Sequence, residues 1–312
     1  MRISVPSHFR RHLGELAPDI QVNWYSSASD FIASSADAEV IWLSRDVDEA
    51  SIEAALRRFE RLRWVTTEAT GVEWIPFEIL NQRRIRLTNG AGLRAIPISE
   101  YVLMAVLAAA KNLPALVHAQ DRAEWLPAPP ARVELQGSRM LVIGYGLIGR
   151  AIAARARAFG VEVTGVRRRQ GDEADLLGPD QWQPRLGEFQ WIVLAVPLTS
   201  RTGHLIGTRE LAAMRGDAWI FNIARGGLID QTALESALES GQIAGAYLDV
   251  TDPEPLPAAS RLWSMPNVLI SPHSSWASTH ADERTVSLFL ENLDRYRSGT
   301  ALRNQVDLDA GY

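Results

Sequence analysis

The chain has 312 residues, 46% of them hydrophobic, enough for two domains with separate cores. Its formal charge of −5 gives no electrostatic reason to expect nucleic acid or an anionic membrane as partner. The absence of cysteine excludes disulfides, thiolate nucleophiles and Cys-based metal sites, and the start MRISVPSHFRRHLGEL lacks an apolar leader, so a cytoplasmic protein is expected.

Short apolar runs alternate with helical patterns from the first residue. MRISV, IQVNWY, AEVIWL, LRWVTT and IRLTN have strand character, and VDEASIEAALRRFERL has helical spacing. These predict a first α/β unit of about a hundred residues, with ATGVEW as a turn-rich loop inside it. PISEYVLMAVLAAAKNL predicts a helix opened by Ser99 and Glu100 behind Pro97; its apolar run stops at Lys111 and Asn112, too short to cross a bilayer. EWLPAPPARVELQG reads as an extended surface arm. A second series of strands follows: RMLVIG, VEVTGV, WIVLAV, AWIFNI, AGAYLD and NVLIS, with helices such as QTALESALESG between most of them. Their nearly uninterrupted apolar character predicts parallel strands buried on both faces. WASTHADERTVSLFLENLDRYRSG closes the series as a long amphipathic helix. The two long helices bracket the second unit, which predicts an inserted domain: residues 1–98 and 280–312 in one unit, 99–279 in the other.

The chemistry-bearing residues follow these strands. The turn G-Y-G-L-I-G (Gly144, Tyr145, Gly146, Leu147, Ile148, Gly149) ends RMLVIG and leads into the helical RAIAARARAFG. In that context it predicts a dinucleotide site: a tight turn at Gly144, close backbone approach to a pyrophosphate at Gly146, and close helix–strand packing at Gly149. VEVTGV ends in Arg167, Arg168 and Arg169, where a carboxylate for the ribose diol is usual in NAD sites. Arginines there attract a 2′-phosphate, so NADP(H) is expected over NAD(H). Pro197 and Thr199, after WIVLAV, are expected to shape the adenosine side. Arg225 follows AWIFNIA, Glu254 follows IAGAYLDV and His273 follows NVLISP. If these strands are parallel, all of these residues crowd onto one carboxyl edge, where open α/β sheets bind ligands. An arginine, a carboxylate, an imidazole and a dinucleotide turn point to hydride transfer to a small keto acid. Taken singly, Arg225 could cap a strand, Glu254 could be solvated loop and His273 could be structural. Arg94 is either a second substrate contact or a solvated loop charge.

The run NIARGGLIDQTALESALESGQIAGAYLDVTDPEPLPAASRLWSMPNVLISPH resembles the signature region of the D-isomer-specific 2-hydroxyacid dehydrogenases, in particular the glyoxylate/hydroxypyruvate reductase branch. ARGG, LDV, D-P-E-P and S-P-H stand in family order and spacing; the resemblance is strong over the second unit and weak over the first. It implies a flavodoxin-like substrate domain, an inserted Rossmann domain, a cleft between them and a homodimer. The implied reaction is NAD(P)H-dependent reduction of a small 2-oxo acid to the D-2-hydroxy acid. The family's catalytic arginine matches Arg225, its acid/base histidine His273 and the acidic partner Glu254. Asp249 matches the position that hydrogen-bonds the nicotinamide carboxamide. Thr70 and Gly71 match the loop whose amides hold the substrate carboxylate. The chain departs from the family in HSSWASTH, where small residues are usual, so that Trp276 either narrows the pocket or packs under the hinge helix. It departs again inside NGAGLRAIPISE. Phosphite oxidation stays open on the motif alone. A nucleotide-sensing binding role is disfavoured because all three catalytic positions are filled.

Overall fold

The structure is a computed structural model and describes residues 1–44, 46–72, 74–168 and 175–309. The chain divides into two compact units, Met1–Arg94 with Ser278–Tyr312, and Ala95–Ala277. The expected divisions at 98/99 and 279/280 stand four and two residues further along the chain. The difference at the first arises because the helix Ala95–Lys111 begins before Pro97 and lies whole in the second unit. Proline in a first turn lacks only an N–H that would have no intrahelical partner there. Ser99 is therefore not the cap; its hydroxyl donates to the Ile96 carbonyl within the helix.

Among the described residues, the first unit holds five parallel strands: β1 (Arg2–Pro6), β2 (Gln21–Tyr25), β3 (Val40–Trp42), β4 (Trp64–Thr66) and β5 (Arg86–Thr88). Their order, β2-β1-β3-β4-β5, is that of the flavodoxin-like doubly wound sheet. β3 and β4 are buried at every position, which is why their sequence is apolar but for Thr66 at the end of β4. The helix Glu49–Arg58 starts at Asp48, whose carboxylate accepts from the Ser51 amide at 2.9 Å, and buries Ile52, Ala55 and Leu56 on one face. The helix Ala281–Arg297 returns to this unit and buries Val286, Phe289 and Leu293. Phe289 sits 4.7 Å from the Trp42 ring and 5.7 Å from the Trp64 ring, centroid to centroid, so tryptophan here is core mass.

The second unit holds β6 (Arg139–Ile143), β7 (Glu162–Val166), β8 (Leu176–Leu177), β9 (Trp191–Leu194), β10 (Trp219–Asn222), β11 (Gly245–Leu248) and β12 (Val268–Ile270). All pairings are parallel, in the order β12-β11-β10-β9-β6-β7-β8, which is the Rossmann order with one more strand beyond β11. The pleat sends alternate residues to opposite faces. Leu141, Ile143, Ile192, Leu194 and Ile220 enter one core; Met140, Val142, Trp191, Val193 and Phe221 enter the other. The helices Ala95–Lys111 and Leu147–Ala158 cover that second core. β8 is too short to have a sequence signal of its own.

Candidate active site

The strand ends of the second sheet stand in one row. Val166, Ile143, Leu194, Asn222, Leu248 and Ile270 pair from strand to strand across it. Whatever follows these residues emerges at the same edge, with about 4.8 Å between neighbouring strands.

After β6 the chain turns at Gly144, which has φ +104°, a region L-residues avoid. A Cβ there would lie 2.3 Å from the Ala195 carbonyl oxygen at the end of β9. The Tyr145 amide donates to the Val166 carbonyl at 2.9 Å, so the turn is bolted to β7. The Tyr145 ring is buried against Gly165, and its hydroxyl accepts from Arg157 at 3.0 Å. A Cβ on Gly149 would meet the Gly144 carbonyl at 2.2 Å, whereas one on Gly146 would meet nothing within 4 Å. The turn is thus closed toward the protein and open at Gly146. Leu147 is exposed and Ile148 half-buried at the start of the helix Leu147–Ala158, whose first amides have no intrahelical acceptors. An open glycine beside a helix N-terminus fits a pyrophosphate.

Arg167 and Arg168 follow β7, the first half-buried with its amide bonded to the Leu177 carbonyl at 3.0 Å, the second exposed. Arg169 lies outside the described residues. After β9, Pro197 and Thr199 form a tight loop: Thr202 Oγ1 donates to the Pro197 carbonyl at 2.7 Å and accepts from the Thr199 amide at 2.8 Å. The His204 amide donates to the Gly227 carbonyl, which joins this loop to the one after β10.

That next loop carries Arg225. The buried Asn222 side chain donates to the Arg225 carbonyl at 2.8 Å and accepts from the Ala224 amide at 3.1 Å, so the end of β10 ties its own turn. Gly226 then passes against the loop after β11: a Cβ on it would lie 2.0 Å from the Thr251 carbonyl oxygen. This approach brings the Arg225 turn against the segment that leads to Glu254.

His273 follows β12 with φ +49°, unusual for a residue other than glycine. Its Nδ1 lies 2.6 Å from Glu254 Oε1, with both side chains partly exposed. An ionised carboxylate only accepts, so Nδ1 carries the proton and Nε2 is the remaining ring nitrogen. The Trp276 indole donates to the His273 carbonyl at 2.6 Å while 48% of the residue stays exposed. Asp249, first after β11, is only 1% exposed and hydrogen-bonds the 271–275 segment.

Thr70 and Gly71 belong to the first unit, in the loop after β4. Asn89 donates to the Thr70 carbonyl at 2.8 Å and the Trp74 indole to the Gly71 carbonyl at 3.0 Å. Arg94 is not a solvated charge. Burial draws its guanidinium pKa down, and Glu68 and Asp282 oppose that shift.

The profile of the D-isomer specific 2-hydroxyacid dehydrogenase NAD binding domain matches residues 103–275. A glyoxylate reductase of Thermococcus gammatolerans is 34% identical over 273 residues, 84% of this chain and 80% of that protein. The chain belongs to the D-isomer specific 2-hydroxyacid dehydrogenase family. A D-3-phosphoglycerate dehydrogenase of Methanocaldococcus jannaschii is 31% identical over 81% of this chain, which spans about half (49%) of that longer relative. A family member from Xanthobacter autotrophicus, solved with NADPH and MES, superposes with a TM-score of 0.83 at 26% identity over 100% of this chain and 99% of that one. As a 2-hydroxyacid dehydrogenase family member, the chain is an oxidoreductase with a nicotinamide-nucleotide domain, and the glycine turn stands at the place in the Rossmann sheet that such a domain uses.

Proposed function

We propose that the protein reduces a small 2-oxo acid of the glyoxylate or hydroxypyruvate kind to the D-2-hydroxy acid, with NADPH as the favoured reductant. The supporting observation is the 2.6 Å contact between His273 Nδ1 and Glu254, on the same sheet edge as Arg225 and the glycine turn. Gly144, Gly146, Gly149, Pro197 and Thr199 would hold the dinucleotide. When bound, the cofactor supplies hydride to the carbonyl carbon. Arg225 grips the carboxylate or keto oxygen of the substrate through paired donors. His273, as the imidazolium with its orientation set by Glu254, gives the Nε2 proton to the carbonyl oxygen as negative charge develops there, and is left as the neutral ring with Nδ1–H on Glu254.

Turnover tests this directly. NADPH and NADH oxidation should be followed with glyoxylate, hydroxypyruvate, pyruvate, phenylpyruvate and a branched 2-oxo acid, and NAD(P)⁺ reduction with phosphite. Turnover on a small 2-oxo acid with NADPH favoured is expected. No turnover on any acid by a protein that binds NADPH would sink the reading, and turnover on phosphite would replace it.

The cofactor preference rests on the arginines after β7. Neutralising Arg167 and Arg168 together is expected to raise KM for NADPH roughly tenfold or more, as loss of charged hydrogen bonds does, with little change for NADH. Equal effects on both cofactors would remove the 2′-phosphate role.

A homodimer is part of the same proposal. Met104, Leu113, Leu116, Val117 and Trp125, the last 96% exposed, leave large apolar side chains uncovered, and a second copy would cover them. A solution mass near 34.5 kDa, rather than twice that, would remove this part.

A further inference from the structure

We infer that Tyr145 and Gly165 act as a specificity couple: the Tyr145 ring, seated where Gly165 has no side chain, sets the spacing between the pyrophosphate turn and Arg167, and with it the preference for NADPH over NADH. Tyr145 is a positioning residue in this reading, which rests on the proposed 2′-phosphate role of the arginines after β7. Gly165 stands on β7, two residues before Arg167. A Cβ on it would lie 2.3 Å from Tyr145 Cδ2, 2.6 Å from Tyr145 Cγ and 2.8 Å from Leu176 Cδ2. Gly165 does not occupy the left-handed region, so space and not backbone freedom requires glycine there. The Tyr145 residue is 3% exposed, so it turns its side chain inward from a turn whose open side is at Gly146.

The main chain makes the same connection. The Gly144 and Tyr145 amides both donate to the Val166 carbonyl, at 3.1 and 2.9 Å. The Arg167 amide donates to the Leu177 carbonyl of β8 at 3.0 Å. The Val166 carbonyl and the Arg167 amide belong to one peptide plane, which is rigid. That plane is held on one side by the glycine turn and on the other by β8, and together they place the Arg167 backbone. The tip of the Tyr145 ring is tied to the same strands. Arg157 donates to the Tyr145 hydroxyl at 3.0 Å and to the Val163 carbonyl of β7 at 3.3 Å, and it pairs with Asp175 at 3.7 Å. The Asp175 carbonyl accepts from the Gly165 amide at 2.9 Å. A methyl group at position 165 would push this ring, and the turn that carries it, away from β7. Each anion site would survive that movement, but their separation would change.

Dissociation constants of NADPH, NADH and adenosine 2′-phosphate test this without turnover. NADH carries the pyrophosphate alone, adenosine 2′-phosphate carries the 2′-phosphate alone, and NADPH spans both sites. Gly165→Ala is expected to weaken NADPH about tenfold or more, as misplacing a charged hydrogen bond does, while the other two ligands change by less than about twofold. Tyr145→Leu, which removes the ring and stays apolar, should act in the same direction. Tyr145→Phe, which keeps the ring, should keep the wild-type ratio of NADPH to NADH affinity. A merely structural role would weaken all three ligands together, and that result would overturn the inference. So would a wild-type ratio in folded Gly165→Ala. If Gly165→Ala does not fold, Tyr145→Leu decides on the same terms. Loss of the ratio in Tyr145→Phe would assign the effect to the Arg157 bond and overturn the role of the ring. If wild type binds NADPH no more tightly than NADH, the proposed cofactor preference fails and this inference with it. If wild type turns over no 2-oxo acid but the affinity ratio behaves as expected, the proposed reaction fails and the inference stands.

Discussion

Replacing His273 by alanine is expected to lower turnover on the 2-oxo acid by about 10²–10⁴-fold, the usual worth of a positioned general acid, with NADPH binding retained. The geometry gives the reason. Nδ1 is committed to Glu254 at 2.6 Å, so Nε2 is the ring atom that can deliver a proton. The glycine turn follows β6 and the histidine follows β12, four strands away in the sheet order, so loss of the ring leaves the phosphate site untouched. Measuring the dissociation constant and kcat separately checks both halves. Near-wild-type turnover would remove His273 as the proton donor, and lost NADPH binding would mean that the ring supports the cofactor instead.

Gly226→Ala is expected to be strongly damaging although Gly226 is not itself a reacting group. Its Cβ would lie 2.0 Å from the Thr251 carbonyl oxygen and 2.1 Å from the Thr251 carbonyl carbon. These are backbone atoms, which cannot rotate aside as a side chain can. Overpacking of this kind typically costs about 1–3 kcal/mol, and the two turns must separate to relieve it. Arg225 stands on one turn and Glu254 three residues beyond Thr251 on the other. A displacement of about 1 Å at reacting groups can cost about 10²-fold in rate. The expected variant is folded by circular dichroism, melts several degrees lower and turns over about 10²-fold more slowly. A folded variant with wild-type turnover would show that the spacing of these two turns does not matter to the chemistry.

The strands and their grouping into two sheets were legible because central parallel strands are buried on both faces and so are written as apolar runs. WVT and VIW in the first sheet and WIVL in the second are buried at every position. The common edge followed from that assignment, since parallel strands all point their carboxyl ends one way. Pairings that depend on three-dimensional approach were not legible. Ser271 and Asn222 stand inside the strand runs NVLIS and AWIFNI and Ser275 inside HSSWASTH, and nothing there marks their partners, which lie up to 26 residues away in sequence. The start of the helix Ala95–Lys111 was misplaced because Pro97 reads equally well as a breaker before a helix and as a member of its first turn. Trp276 stayed ambiguous until its indole was seen to bond the His273 carbonyl.

The division of the chain also bears on the order in which it can fold. Residues 95–277 form a continuous stretch, so the second unit has its whole sheet once that stretch has left the ribosome. The first unit is interrupted: Val286, Phe289 and Leu293 complete the core around Trp42 and Trp64, and Gln305 pairs antiparallel with Thr88. Its opening ninety-four residues must therefore wait for more than 180 others to be synthesised before they meet the helix that seals them. At about 5–20 residues per second, that delay lasts on the order of ten seconds or more, with the sides of Trp42 and Trp64 that meet Phe289 uncovered. Transiently exposed apolar surface of this kind is prone to association with other chains, and slowed synthesis would lengthen the interval.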